Sequence, residues 1–168
     1  MTAFKKVGLM AKQGHTDAIA MAKQLLPYLK KKGCDVFLPQ PVFSGVDLPD
    51  KKALVSEEAF ISAIDLLISL GGDGTLLRSV RMLQGKKVPV VGLKFGGVGF
   101  LTEIPRESVE AGLTDIINGN YMIEERLKVK ATVNRKGKEV NAYHALNDMV
   151  VHTTGLARIS KYRLSFNG

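Results

Sequence analysis

The feature that most constrains the fold is a short apolar run followed at once by a glycine-rich loop. Leu66 to Leu70 is almost continuously apolar, and Gly71 to Thr75 reads Gly-Gly-Asp-Gly-Thr. A short apolar run of this kind is typical of a parallel strand covered on both faces. A helical pattern of apolar residues comes next, formed by Leu76, Leu77, Val80 and Leu83. The order predicts a strand, a loop at its carboxyl end, and a helix.

The N-terminal segment shows the same alternation. Lys6 to Met10 predicts a short buried strand. A helix is then expected through Lys32, capped by Thr16 or Asp17. Gly33 is the expected end of that helix, since glycine readily adopts the left-handed conformation found there.

The alternation continues toward residue 117. Cys34 to Leu38 predicts a strand, and Pro39 to Lys52, rich in Pro, Gly and Asp, predicts a loop. Ser56 to Glu58 opens a short helix, Val88 to Leu93 forms another buried strand, and Glu107 to Ile117 forms another helix. Strands that alternate with helices predict an α/β fold with an open parallel sheet flanked by helices.

A second kind of region is predicted after residue 121. Apolar residues alternate with polar ones from Leu127 to Val133, which indicates a half-buried strand. Further strands are expected at 138–144, 149–152 and 158–166. We therefore predict an α/β domain over residues 1–121 and the start of an antiparallel all-β domain over 122–168. Asn167 and Gly168 form a hairpin signal with no returning strand after it, so we expect this second domain to be incomplete in the chain.

The charge of the chain favours small anionic ligands over nucleic acid. The formal net charge is +8, but the lysines and arginines occur in short scattered groups such as Lys30 to Lys32. No basic stripe with interleaved aromatic residues is present, so we expect phosphorylated small molecules as partners, and no nucleic acid.

Composition also bears on the compartment. The single cysteine, Cys34, rules out an internal disulfide and suits a reducing environment. The N-terminal residues lack the apolar segment of a signal peptide, and no run approaches the roughly 18 apolar residues that cross a bilayer. We expect a cytoplasmic protein with no membrane partner.

The glycine-rich loop predicts phosphate chemistry. Its three glycines allow the backbone to approach a phosphate, and main-chain N–H groups at a helix N-terminus bind anions. Asp73 would lie at the reaction centre, where a carboxylate either orients and deprotonates a hydroxyl or binds Mg²⁺. The helix dipole and the amide hydrogen bonds favour its ionised form.

Two better-known phosphate loops fit the sequence less well. The loop from Gly71 to Thr75 lacks the lysine of a P-loop. The first strand leads into Gly8 to Lys12, which lacks the glycine spacing of a dinucleotide-binding Rossmann loop.

Three motifs in this order resemble the NAD kinase family. Leu70 to Leu77 is similar to the glycine-aspartate motif shared by NAD kinases, diacylglycerol and sphingosine kinases and phosphofructokinases. Gly96 to Glu103, with the segment from Ala145 to Val150 and Leu156 to Arg158 after it, narrows the resemblance to NAD kinase.

The resemblance implies a role for each matching residue. Asp73 would accept the proton of the 2′-hydroxyl on the adenosine ribose of NAD⁺, in a kinase that uses ATP as donor and a divalent metal, with Mg²⁺ expected. The family is usually homo-oligomeric, as a dimer or tetramer. The residues implied to bind nucleotide are Gly71, Gly72, Gly74, Thr75, Arg78, Phe100, Leu101, Asn147, Asp148 and Arg158.

Two other functions remain open at this point. A lipid or diacylglycerol-type kinase would use the same glycine-aspartate loop, and a non-catalytic module would bind a nucleotide without turnover. The family's Thr-Pro-Thr-Gly-Ser-type segment does not occur in the 168 residues. We therefore expect the chain on its own to be inactive.

Overall fold

A six-stranded parallel sheet organises the chain. The computed structural model describes residues 3–95, 99–152 and 161–166. Its first half contains β1 (Lys6–Ala11), α1 (Thr16–Lys31), β2 (Asp35–Pro39), α2 (Gln40–Phe43), β3 (Leu54–Val55) and α3 (Glu57–Ala63). Its second half contains β4 (Leu66–Gly71), α4 (Asp73–Met82), β5 (Val90–Lys94), β6 (Ile104–Pro105), α5 (Val109–Asn118), β7 (Val129–Arg135) and β8 (Lys138–Ala145).

The order of the strands fixes where a ligand would bind. The sheet runs β3-β2-β1-β4-β5-β6, and every neighbouring pair is parallel. The chain moves outward in one direction from β1 and in the other from β4, so the order reverses between these two strands. Open α/β sheets bind ligands at the carboxyl ends of the strands beside such a reversal. The predicted open parallel sheet flanked by helices is confirmed.

The core lies around the central strands. All six residues of β4 are buried, as the apolar run predicted. Helix α1 contributes the buried face of an amphipathic helix, including Leu25, Leu26 and Leu29. The core cluster extends to Ile117 and includes no described residue beyond it. None of the described helices is long and apolar enough to span a bilayer.

The cap of α1 differs from the prediction. His15 is the N-cap residue, and its Nδ1 accepts a hydrogen bond from the Ala18 amide at 3.4 Å. The helix therefore begins at Thr16, one position earlier than a Thr16 cap predicts and two earlier than an Asp17 cap predicts, and Asp17 lies in the first turn, where the helix dipole favours an acidic residue. Gly33 follows the helix with a φ of +85°, in agreement with the predicted end.

The segment predicted as a loop from residue 39 to 52 contains regular structure. Proline at the start of α2 suits the first turn of a helix, and Val42 and Phe43 anchor that helix in the core. A 3₁₀ turn spans Lys51–Ala53 and leads into β3. Strands β3 and β6 are two residues long, too short to produce a recognisable periodicity in the sequence.

Among its described residues, the second region contains one hairpin. Strands β7 and β8 pair antiparallel around a turn in which Lys136 and Gly137 have φ values of +50° and +76°. Positive φ at both positions matches the right-handed twist of a hairpin. The expected burial is absent: Val129 and Val133 are 46% and 37% exposed. Both side chains are therefore only partly covered by the described residues.

The prediction of two further strands after the hairpin is wrong for the described residues. Residues 149–152 and 161–166 have no strand assignment, and Leu164 and Phe166 are 97% and 88% exposed. A strand needs a hydrogen-bonding neighbour, and no described strand pairs with either segment. Residues 153–160 lie outside the described structure, and the predicted boundary at 121/122 stays a prediction.

Candidate functional site

Strand β4 leads into the glycine loop, which therefore lies beside the point between β1 and β4 where the strand order reverses. The strand ends at Gly71, where a Cβ atom would lie 2.3 Å from Oγ1 of Thr75. No side chain fits in that space, so glycine is required for the close approach of strand and helix. Gly72 is the N-cap of α4, and Asp73 is the first residue of the helix.

Buried hydroxyl groups join α4 to β4. Ser79 Oγ lies 2.8 Å from the Thr75 carbonyl oxygen and 3.3 Å from Ser69 Oγ. Ser69 and Ser79 are fully buried, and Thr75 is nearly so. Buried hydroxyl groups need partners of this kind, so the network attaches α4 to the strand through Ser79.

Backbone amides from a distant loop orient the Asp73 carboxylate. The amide of Phe100 donates to Oδ2 at 2.9 Å, and the amide of Leu101 donates to Oδ1 at 3.1 Å. These residues follow Asp73 by 27 and 28 positions in the sequence. Both carboxylate oxygens are therefore engaged, and the side chain has a defined direction at the carboxyl end of the sheet.

The same contacts keep Asp73 ionised. The Phe100 amide is the largest cause lowering the pKa of Asp73 below its ordinary value of 3.8. Partial desolvation acts in the opposite direction, and Leu101 and Thr102 add further lowering. A carboxylate that is charged at neutral pH is suited to accept a proton from a hydroxyl.

Gly99 and Thr102 form the wall beside this carboxylate. A Cβ atom on Gly99 would lie 2.7 Å from both Asp73 Oδ1 and Thr102 Oγ1. The Thr102 hydroxyl is close enough to contribute to the lowered pKa of Asp73. It is nevertheless buried without a partner of ordinary hydrogen-bond geometry among the described residues. The contact between this hydroxyl and the carboxylate is therefore incompletely formed.

An open cleft of about 470 Å³ lies on the β1–β2 side of α4. Met10 and Val42 contribute apolar surface, whereas Arg78 and Arg81 bring positive charge. Within the part of the chain that the structure describes, neither guanidinium group makes a hydrogen bond or ion pair, so both are available to an anion. The complete lining is Met10, Pro39, Pro41, Val42, Glu57, Gly74, Arg78, Arg81, Met82 and Gln84.

The structure brings together most of the sequence-predicted residues that belong to the parallel sheet, its helices and the loops between them. Gly74 and Arg78 line the cleft, and Phe100 and Leu101 contact Asp73 through their backbones. The Phe100 side chain is 91% exposed and is therefore not a core residue. The loop residues Gly71, Gly72 and Thr75 lie between β4 and the first turn of α4.

The predicted residues of the second region are not joined to this site. Asn147 and Asp148 are exposed, follow β8, and make no hydrogen bond with any described residue. Arg158 lies outside the described residues. Its role stays a prediction.

Metal binding at this site depends on the carboxylate, histidine and cysteine side chains that lie close together. Among residues 3–95, 99–152 and 161–166, no group of three or more His, Cys, Asp or Glu side chains lies close enough to bind one ion. A divalent ion near Asp73 would therefore need ligands in addition to such side chains, and phosphate oxygens are suitable ligands for Mg²⁺.

Sequence reasoning missed Thr102 and Arg81 as site residues. Thr102 falls inside the glycine motif from 96 to 103, but its position beside Asp73 depends on tertiary contacts. Arg81 is three residues after Arg78, the spacing that places both on one helix face. That spacing was the available signal.

Comparisons with known proteins agree with the fold and the motifs. Residues 7–121 match the sequence profile of the ATP-NAD kinase N-terminal domain. The chain is 34% identical over 161 residues to a protein of Syntrophotalea carbinolica named NAD kinase, covering 96% of this chain and 56% of that protein. The chain thus spans about half the length of this curated relative.

Solved structures share the fold. A yeast NADH kinase complexed with NADH superposes with a TM-score of 0.74 at 20% identity, covering 85% of this chain and 47% of that one. An NAD kinase from Archaeoglobus fulgidus in complex with ATP gives a TM-score of 0.50 at 23% identity, covering 80% and 45%. Together with the profile match, the glycine loop and its oriented aspartate show that this chain belongs to the ATP-NAD kinase family through its N-terminal domain.

Proposed function

We propose that this chain carries the reactive centre of an NAD kinase. The reaction transfers the γ-phosphoryl group of ATP to the 2′-hydroxyl of the adenosine ribose of NAD⁺, giving NADP⁺ and ADP. The observation that carries the proposal is the ionised Asp73 carboxylate, oriented by the Phe100 and Leu101 amides at the carboxyl end of the sheet.

In the proposed reaction, Asp73 acts on the acceptor hydroxyl. A free lone pair of the carboxylate accepts the hydroxyl proton while the ribose oxygen attacks the γ-phosphorus. The bond from that phosphorus to the bridging oxygen breaks, and ADP leaves with the electron pair. Positioning and charge neutralisation supply most of the acceleration of phosphoryl transfer, so the fixed direction of Asp73 matters as much as its basicity.

The cleft beside α4 supports an anionic donor. Arg78 and Arg81 bring two unpaired positive charges to its edge, and Gly74 brings the helix N-terminus to the same cleft. Guanidinium groups suit phosphate oxygens because their donors form a planar fork. We propose that the triphosphate of ATP lies here, with a divalent ion such as Mg²⁺ bound mainly through the phosphates.

The remaining predicted residues complete the proposal for NAD⁺. The exposed Phe100 ring and the Leu101 side chain would contact the dinucleotide. Asn147 and Asp148 would hydrogen-bond adenine and ribose hydroxyls, and Arg158 would approach a phosphate. We also propose a homo-oligomeric, cytoplasmic protein whose partners are nucleotides, with no nucleic acid or membrane partner.

The names of similar proteins support this choice of substrates. The Syntrophotalea carbinolica relative is named NAD kinase, the yeast structure contains NADH, and the Archaeoglobus fulgidus structure contains ATP. The chain covers 56% of the first of these, so the activity is proposed for the protein rather than for these residues alone.

The test measures NADP⁺ formation from NAD⁺ and ATP with Mg²⁺, using this chain and any longer product of the same reading frame. Diacylglycerol serves as the competing acceptor. Asp73→Asn should lower kcat by about 100-fold or more, because it removes the base and its charge. Asp115→Asn is the matched control, since Asp115 is an exposed aspartate on α5.

Three outcomes would contradict the proposal. Turnover of diacylglycerol in place of NAD⁺ would favour a lipid kinase. Nucleotide binding without turnover in every form of the chain would favour a binding module. Undiminished NADP⁺ formation by Asp73→Asn would remove Asp73 from the reaction.

A further inference from the structure

Thr102 has a buried hydroxyl group that the described structure leaves without a partner. The residue is 7% exposed, and its Oγ1 is the one fully buried side-chain oxygen or nitrogen in the described ranges that makes no hydrogen bond. A buried hydroxyl without a partner costs free energy, so such groups are rare in the absence of a specific role.

The packing of Thr102 fixes where this hydroxyl lies. A Cβ on Gly92 of β5 would be 2.9 Å from Cγ2 of Thr102, so the threonine methyl occupies the space that glycine leaves open. The next residue, Glu103, donates its amide to the Gly92 carbonyl at 3.0 Å. The methyl group and the backbone of Thr102 are therefore anchored on β5.

The hydroxyl lies on the side of the residue that faces the reactive centre. The Cβ position of Gly99 is 2.7 Å from Thr102 Oγ1 and also 2.7 Å from Asp73 Oδ1. The two oxygens are thus within twice that distance of each other, across a gap that a side chain on Gly99 would fill. Joining them requires rotation of the hydroxyl hydrogen and a movement of the carboxylate toward Thr102.

The chemistry of the two groups favours a bond between them. An ionised carboxylate is a strong acceptor, and a hydroxyl that donates to it forms a short charge-assisted hydrogen bond. Oδ1 already accepts one bond, from the Leu101 amide, and a carboxylate oxygen has room for a second.

We infer that Thr102 is a positioning residue for Asp73, whose hydroxyl donates to Oδ1 and completes a set of three donors with the Phe100 and Leu101 amides. This inference deepens the proposed function, on which its catalytic meaning rests. The hydroxyl would restrict rotation of the carboxylate and keep its free lone pair directed at the acceptor hydroxyl.

Two substitutions separate the hydroxyl from the packing of the side chain. Thr102→Val keeps the shape and the methyl group over Gly92 but removes the donor. Thr102→Ser keeps the donor but removes the methyl group. A positioning role predicts damage in the valine variant and rescue by serine, whereas a purely structural role predicts the reverse.

The readout is the rate of amide hydrogen exchange of Phe100 and Leu101 in the ligand-free chain, measured by NMR. We expect Thr102→Val to speed exchange at both amides by about tenfold, the scale of one hydrogen bond to a charged group. Thr102→Ser should stay within about twofold of the unsubstituted chain. In an Asp73→Asn background, Thr102→Val should change the rates by less than about twofold, since the charged acceptor is gone.

The inference is overturned if Thr102→Val exchanges like the unsubstituted chain, if Thr102→Ser matches Thr102→Val, or if the valine effect persists in full with Asp73→Asn. Amides of β4 report whether each variant is folded, and the serine variant keeps the test decisive if valine disturbs folding. The measurement needs no substrate, so its failure is distinct from failure of the kinase proposal.

Discussion

The surroundings of Asp73 determine the charge and the orientation of its carboxylate. The amides of Phe100 and Leu101 stabilise its charged form and lower its pKa below 3.8. A carboxyl group with a lowered folded-state pKa adds stability that is fully present above its unfolded pKa and is lost as the pH falls through the folded value. The carboxylate and its two hydrogen bonds are therefore expected to persist throughout the neutral range.

The lowered pKa of Asp73 gives a prediction of how its hydrogen bonds depend on pH. The NMR signals of the Phe100 and Leu101 amides should stay constant from neutral pH downward and move only below pH 3.8, the ordinary value for the side chain. In Asp73→Asn the same signals should show no acid transition, because the titrating acceptor is absent. A transition centred above pH 3.8 in the unsubstituted chain would contradict the geometry given for this site.

Helix α4 is the element that links the core to the site. Its first turn contains the glycine loop, and its buried face is fixed to β4 through Ser69, Thr75 and Ser79. The glycines of the loop are not equivalent. A Cβ on Gly71 would collide with Thr75 Oγ1, whereas a Cβ on Gly74 would meet nothing within 4 Å.

Alanine substitutions at these two glycines should have opposite effects on stability. Gly71→Ala should lower the free energy of unfolding by about 2 kcal/mol, because the new methyl group overpacks a filled space. Gly74→Ala should raise it by about 0.5 kcal/mol, since alanine is the better residue inside a helix. Urea denaturation of both variants checks the pair, and equal effects would contradict the packing described here.

The hydroxyl network gives a second prediction for α4. Ser79→Ala should lower the free energy of unfolding by about 1 kcal/mol, because Ser69 Oγ loses its partner in a buried site. In the Ser79→Ala background, Ser69→Ala should lower the free energy of unfolding by less than it does in the unsubstituted chain, since the two groups interact directly. A double-mutant cycle from denaturation curves measures the coupling, and strict additivity would show that the network contributes nothing.

At the scale of the whole molecule, stability resides in the parallel sheet and the helices packed on it, from β1 to α5. The core cluster contains no described residue after Ile117, while Val129, Val140 and Tyr143 of the hairpin are about half exposed. The hairpin therefore buries little apolar surface, and apolar burial is the main source of folding free energy.

The predicted boundary at residue 121 can be tested by truncation. A chain of residues 1–121 should unfold cooperatively with a Tm within about 4 °C of the full 168 residues, because that shift corresponds to about 1 kcal/mol in a domain of this size. Differential scanning calorimetry of both chains checks this. A much lower Tm for 1–121 would show that the hairpin stabilises the sheet.

Most strands and helices of the first 121 residues were predictable because their signals are local, whereas α2, β3 and β6 were not predicted. The apolar run of β4, the glycine ending α1 and the serine that caps α3 depend on neighbours in the sequence. Position 15 shows the limit, since a histidine cap is rare and Thr16 is a more usual capping residue. The later strands failed because an exposed alternating segment becomes a strand only when another strand pairs with it.

The sequence by itself determined the parallel sheet, the glycine loop at the end of β4 and the proposal that Asp73 is the reactive group, since these follow from hydrophobic period and residue chemistry. The tertiary structure alone decided which groups surround that carboxylate. The amides of Phe100 and Leu101 reach Asp73 across more than 25 residues of chain, and Gly99 and Thr102 lie beside it across a similar separation. Hydrogen bonds over such a separation depend on how β4 and β5 pair, and no local pattern encodes their geometry.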